Sequence, residues 1–376
     1  MGYNIDGLAE RRETERTKYF EKSRSHMTAA THQGKLTLAA VAREAGVSAP
    51  TVSKVINGRE DVSAETRTKV LTALARTGYK SPVQHRKILT GRQAVEVVFD
   101  SLNSAYAVEV LNGILEHAAE SDIDVVLSVT GKQGATPLSP EQRARRIIDE
   151  GRCGMIVVTS AFGADQLDAF HRRGVPTVVI DPLNPPPGDV VSIGTTNWAG
   201  GKDATSHLLD LGHRRIAYVG GPDGAECNQA RLHGYMAALR ARGLSAEDRY
   251  ILSGPFRTDH GVQGMKTLLR LEPRPTAIFA ASDSIALGVL AEARRQNVRV
   301  PEEMSLVGFD GTYLAEESVP ALTSVTQPLQ EMGRAALRFI LRQMRGETLD
   351  SRRVELATKL VIRDSTAPPQ ALEPVA

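Results

Sequence analysis

Ser48, Ala49, Pro50, Thr51, Ser53, Lys54 and Asn57 place hydrogen-bonding and short apolar groups on the outward side of one short segment, while Val52, Val55 and Ile56 alternate with them as its inward side. That face has the chemistry to read DNA. A Lys ammonium donates to guanine O6 or N7, Ala and Pro lie against thymine methyls, and Thr, Ser and Asn bind phosphates or base edges. The elements that must position such a face are legible on either side. Upstream, Leu38, Val41, Ala42 and Ala45 recur at i, i+3, i+4 and i+7, the spacing of one buried helix face. Thr37 stands at the N-cap of that helix, Gly46 ends it in a tight turn, and Ser48 caps the next, in which Pro50 sits where first-turn N–H groups are unpaired anyway. This is helix-turn-helix spacing, with a third helix running on to about Tyr79. The two capping residues, Thr37 and Ser48, therefore join the DNA-facing set. A short polar helix decorating an unrelated domain is the bland alternative, and the length of AREAGVSAPTVSKVING argues against it.

The charge distribution agrees. Residues 28–92 hold 11 Lys and Arg against 4 Asp and Glu, a net +7, whereas residues 93–376 hold 29 against 35, a net −6. A total of only +2 thus hides a basic head on an acidic body. Phosphate binding by such a head weakens steeply as salt rises.

The chain of 376 residues has room for two or three domains, and 41% hydrophobic with 24% charged residues is ordinary for a globular protein. No run approaches 18 apolar residues, and the N-terminal stretch mixes both charge signs without an apolar core, so a cytoplasmic protein is expected. Cys153 and Cys227, the only two cysteines, belong to no metal-binding spacing and read as small hydrophobes. Residues 1–34 fit nothing that follows and are expected to form a disordered extension, with Met27 an alternative start.

From Gln93 on, strand and helix signals alternate. Short β-branched runs fall at Val95–Phe99, Val125–Val129, Met155–Thr159, Thr177–Ile180, Ile216–Val219, Ala277–Ala280 and Ser305–Phe309. Helical periodicity falls at Val108–Ala119, Ala199–Leu211, Arg231–Arg242 and Ser284–Gln296. Apolar strands alternating with helices predict an α/β body of parallel sheets covered on both faces. There are too many strands for one small sheet, and the turn-rich stretch DPLNPPPGDVVSIGTTN marks a passage between two lobes. Ligands of such sheets bind beyond the carboxyl ends of the strands, here in the cleft between lobes. Trp198, the only tryptophan, could stack there on a sugar ring with Asn197 on its hydroxyls, or could pack in a core. Tyr106, near Asp100 and Asn103, and Phe256 are further lining candidates.

In its order of motifs the chain from Leu36 onward resembles the LacI/GalR family of bacterial transcription regulators. The resemblance implies a dimeric repressor of a palindromic operator, with pairing of dimers into tetramers left open, and a sugar-sensing body similar to periplasmic binding proteins. It implies a headpiece at 35–80, a hinge helix at 81–92 and an effector-binding and dimerisation domain at 93–376. The N-lobe would comprise about 93–192 and 323–332, and the C-lobe 193–322 and 333–376. Chain crossings between lobes would fall near Ile193, Thr312–Leu322 and Thr326. Hinge helices of the family wedge an apolar side chain into the minor groove, a role that falls to Ile88 or Leu89; both could instead anchor a linker. Arg231 matches the family's effector-gripping Arg, against a surface ion pair. Asp283 matches its acidic ligand residue, against an N-cap, and Gln327 its cleft-facing Gln, against an exposed loop amide.

No Walker A, HExxH, GxSxG or Cys/His metal spacing is present, so neither an enzyme nor a cofactor is indicated. His213 reads as a packing residue. The expected function is a carbohydrate-responsive repressor released from DNA by an inducer. The same fold sensing a nucleobase or a protein partner, and a solute-binding module, are the alternatives.

Overall fold

The computed structural model describes residues 38–56, 62–77, 93–129, 139–159, 162–184, 186 and 188–370. Thr37, Asn57, Ile88, Leu89 and the hinge helix expected at 81–92 lie outside the described residues. The chain divides into two compact units, the headpiece and the body.

In the headpiece, α1 (Leu38–Ala45), α2 (Ala49–Ile56) and α3 (Ala64–Thr77) enclose a small core of Val41, Ala42, Ala45, Val52, Val55, Val70 and Ala73. Gly46 adopts φ +66°, a left-handed conformation that glycine enters without the Cβ penalty, and this lets α2 start only three residues later. Ser48 Oγ accepts the Thr51 N–H at 3.3 Å and Ser63 Oγ accepts that of Thr66 at 3.3 Å, capping α2 and α3.

The body follows in the order β1 (Gln93–Phe99), α4 (Ala105–Glu120), β2 (Ile123–Val129), α5 (Pro140–Asp149), β3 (Arg152–Val158), α6 (Ala164–Arg172), β4 (Thr177–Ile180), β5 (Val191–Thr195) and α7 (Asn197–Asp210). It continues with β6 (Ile216–Val219), α8 (Glu226–Ala241), β7 (Ile251–Leu252), α9 (Thr258–Leu268), β8 (Ala277–Ala280), α10 (Asp283–Arg295), β9 (Ser305–Asp310) and α11 (Tyr313–Glu317). The last elements are β10 (Thr323–Thr326), α12 (Leu329–Met344), β11 (Arg353–Leu356) and β12 (Lys359–Val361). Two six-stranded sheets result, ordered β11-β5-β4-β3-β1-β2 and β12-β10-β9-β8-β6-β7. Neighbouring strands are parallel except β10 and β12. Helices cover both faces, which is why strands such as β4, β6 and β8 are buried along their whole length. Among the described residues no helix is long and apolar enough to cross a membrane.

Three chain crossings join the lobes, and one differs from expectation. The chain passes from β5 to α7 and from β10 to α12, near the expected Ile193 and Thr326, but the third passage runs from β11 to β12, at 357–358, rather than through Thr312–Leu322. Ala315 and Leu322 are packed in the C-lobe core, so that stretch never leaves it. The expected lobe boundaries are corrected accordingly. Residues 323–326 form a C-lobe strand, whereas α12 and β11 belong to the N-lobe. The physical reason is packing: Met332, Ala336, Leu337 and Ile340 of α12 complete the N-lobe core. The helix approaches α4 so closely that a Cβ on Gly113 would fall 1.9 Å from the Gln330 carbonyl oxygen.

Candidate DNA-reading face and effector cleft

On α2, Pro50 and Lys54 are exposed, Thr51 and Ser53 are half-buried, and Ser48 is exposed at the cap. Ala49 is half-buried as well and packs at the edge of the headpiece core. The remaining groups form a short polar ridge at the start of α2, with Lys54 as its cation.

In the body, a cavity of about 790 Å³ lies between the lobes, lined by the segments that follow the strands of both sheets. Tyr106, Asp100, Asn103, Arg231 and Phe256 all line it, as expected from sequence. Three further lining residues, Thr159, Asp181 and Asp310, hold positive φ of 43°, 43° and 108°. Non-glycine residues there cost about 1–3 kcal/mol each, a strain that gathers at binding sites.

Arg231 is the centre of the C-lobe wall. Its Nε donates to Asn197 Oδ1 at 2.8 Å and Nη1 to the Ala281 carbonyl at 2.6 Å, with Asp310 Oδ1 at 3.7 Å. The guanidinium lies 3.7 Å from the Phe309 ring centroid and 5.7 Å from that of Phe256. Among the described residues Nη2 has no acceptor, which leaves one end of the fork for a ligand. Burial pushes the Asp310 carboxyl well up, against the pull of Arg231. Across the cleft the Tyr106 hydroxyl donates to Asp181 Oδ2 at 2.7 Å, and burial raises both groups.

Asp283 is placed elsewhere. Its Oδ2 accepts from the Thr312 N–H at 2.7 Å and hydroxyl at 2.9 Å, and Oδ1 from the Ser324 hydroxyl at 2.6 Å. It does not line the cavity, nor does it cap α10; Ser282 does, and Ser282 faces the cavity. Gln327 is buried rather than exposed. It donates to Asp310 Oδ1 at 2.8 Å and accepts from the Thr195 hydroxyl at 2.6 Å, tying two lobe crossings to the cleft without lining it. Trp198 and Asn197 line a separate, smaller pocket. Asp181, Asp310, Ser282 and Thr159 are the residues that sequence reasoning missed. The available signal was a polar side chain directly after an apolar strand, as in VVID, VGFD and IFAAS.

Two hydrogen bonds cross the cleft at its rims, from the Tyr313 N–H to Glu109 Oε1 at 3.0 Å and from the Glu226 N–H to the Leu183 carbonyl at 3.4 Å. His213 is buried and bonded to Thr276, Ser305 and the Ala367 carbonyl, a packing role.

A helix-turn-helix headpiece followed by a two-lobed body with a buried, hydrogen-bonding cleft is the organisation of a DNA-binding regulator that senses a small molecule. Residues 37–81 match the family model described as bacterial regulatory proteins, lacI family, and residues 205–366 match a periplasmic binding protein-like domain. The catabolite control protein A of Priestia megaterium is 31% identical over 336 residues, 88% of this chain and 99% of that protein. A solved complex of the transcriptional regulator CelR with cellobiose is 32% identical with a TM-score of 0.66, covering 88% of this chain and 99% of that one. A lac repressor dimer bound to operator and the anti-inducer ONPF is 25% identical with a TM-score of 0.64, over 88% and 99%. The chain belongs to the LacI family of transcriptional regulators. Its relatives are regulators, not enzymes.

Proposed function

We propose that this regulator is a dimeric repressor of a palindromic operator, released when a neutral sugar or short oligosaccharide binds between its lobes. The observation that carries this reading is the composition of the cleft wall. Arg231 keeps one end of its fork available beside Asp310, Phe256 offers a ring face, and Tyr106, Asn103 and Ser282 supply hydroxyl and amide groups. Such a set suits adjacent hydroxyls on a ring with an apolar face. Arg231 stands beside two buried carboxyls, and Arg257, the other cation lining the cavity, is already paired with Asp259, which disfavours a phosphorylated ligand. The complex of CelR with cellobiose is consistent with this ligand class.

The mechanism follows from linkage. Cleft residues come from both lobes, so a sugar binds different lobe arrangements with different affinity and shifts the equilibrium between them. In the dimer each α2 would occupy one of two successive major grooves, with Lys54, Thr51 and Ser53 toward the bases. The test is anisotropy of labelled upstream DNA titrated with a panel of monosaccharides and disaccharides. One sugar should release the DNA, and Arg231→Lys should raise the concentration required about 30-fold, equivalent to about 2 kcal/mol, because an ammonium cannot reproduce the fork. Operator binding that no sugar alters would discard the carbohydrate assignment.

A further inference from the structure

We propose that the body holds a second sugar pocket, built around Trp198 and separate from the main cleft. A cavity of about 290 Å³ is lined by Asp181, Pro182, Ser192–Ala199, Glu226, Cys227, Ala230 and Arg353–Glu355. It shares only Asp181 and Cys227 with the main cleft, and those two residues form the wall between them. At roughly 30 Å³ per water this is space for about ten waters, the scale of one pyranose ring.

Its lining is the chemistry that a neutral ring requires. Trp198 opens α7 and is 48% exposed, an unusual position for the largest apolar side chain in the protein. The Lys202 ammonium lies over one face of the indole, 5.6 Å from its centroid, and the exposed remainder of the ring is an apolar surface for the C–H face of a sugar. Among the described residues the Arg353 guanidinium has no carboxylate partner, although Glu355 is only two residues away, and the Glu226 and Glu355 side chains have no cation. A fork and two carboxylates, none engaged in the protein, are what vicinal hydroxyls pair with. With Asp181 added, carboxyl groups outnumber the one guanidinium, so the pocket selects against sugar phosphates.

The pocket also has a regulatory position. Ser192–Thr195 and Arg353–Glu355 belong to the N-lobe sheet, whereas Asn197–Ala199 and Glu226–Ala230 belong to α7 and α8 of the C-lobe. Its occupant touches both lobes and is therefore thermodynamically linked to whatever lobe arrangement the main cleft favours. The second site deepens the response without requiring that the main cleft bind the same sugar.

Trp198 is the only tryptophan, so its fluorescence reports this pocket in the full-length protein. The probes are D-glucose, D-galactose, D-xylose, cellobiose and glucose 6-phosphate, followed by fluorescence and by calorimetric stoichiometry. The expected result is a saturable change with at least one monosaccharide, weakened tenfold or more by Arg353→Ala and altered less than twofold by Phe256→Ala. Arg353→Ala should keep full operator binding, since its side chain is exposed and lies outside the main cleft. Four outcomes overturn the proposal: no saturable change with any sugar, a change lost in Phe256→Ala but kept in Arg353→Ala, a response to cellobiose alone, or tighter binding of glucose 6-phosphate than of glucose. Failure of the main-cleft reading would look different, with Phe256→Ala and Arg231→Lys leaving DNA release by sugar untouched.

Discussion

The α2 ridge and the interlobe cleft are both built of polar side chains, but they relate to the fold in opposite ways. On α2 the functional groups are exposed or half-buried outside a seven-residue apolar core, with Ser48 also capping the helix. In the cleft and the crossings beside it, polar groups are held by others from distant segments, such as Arg231 by Asn197 and Gln327 by Thr195. The first site can therefore change its chemistry at little cost in stability. The second cannot, because the bonds that shape it also join the crossings between lobes. Within one chain, operator preference is free to diverge while the sensing apparatus is constrained.

The sharpest way to break that contrast is to truncate a buried carboxylate beside the cleft. Asp283→Ala removes three hydrogen bonds and leaves the Thr312 N–H and two hydroxyls unpaired in the C-lobe interior. Removing one partner of such a buried set costs about 3–5 kcal/mol. Urea denaturation should show that loss in the body transition, and a loss under about 1 kcal/mol would mean that this network contributes little. Lys54→Ala is the counterpart on α2. Its stability should stay within about 0.5 kcal/mol of the parent protein, while preference for operator over scrambled DNA falls by roughly 1–3 kcal/mol. Unchanged discrimination would remove Lys54 from the base-reading set.

The same contrast explains what was legible in the sequence. Headpiece function lies within a few consecutive residues, so helical spacing alone exposes it, down to the Ser48 cap. In the body the strands named from apolar runs are present, whereas β5, β7, β10, β11 and β12 were not resolved as strands. β7 is only two residues long, the other four contain Ser, Thr, Gly, Lys or Glu and follow no uniform apolar run, and β11 and β12 lie at sheet edges. Missing β11 and β12 displaced the third crossing and with it the lobe boundaries. Asp283 and Asp310 both follow C-lobe strands, and no local pattern distinguishes them. Which one lines the cavity is decided by Thr312 and Ser324, residues 29 and 41 positions away, that consume the Asp283 lone pairs. Trp198 had two readings, stacking on a sugar in the cleft or packing in a core; it is 48% exposed and lines the smaller pocket, because a passage of chain between lobes presents side chains to either side of the junction, and spacing does not say which.

The smallest expected effect sharpens the comparison most finely, because it asks what state the buried carboxylate is in. Burial pushes Asp283 up to about 6, while the donors from Ser324 and Thr312 oppose the rise. An acid whose folded pKa lies above its unfolded value of about 3.9 stabilises the fold fully below pH 4 and loses that contribution as pH rises through 6. The buried His213 and the half-buried His207 and His260 act oppositely, since desolvation lowers their pKa and acid favours the unfolded chain. The two trends overlap in the parent protein, so the informative quantity is its stability difference from Asp283→Asn, in which the histidines cancel. Between about pH 7.5 and 5 that difference should move by about 1 kcal/mol in favour of the parent. A difference that stays flat or moves the other way would place an ionised carboxylate at the centre of the network throughout. Ser324→Ala removes one of the donors that oppose the rise, so the pH-dependent difference should widen, while the α2 ridge and its operator preference stay unaffected.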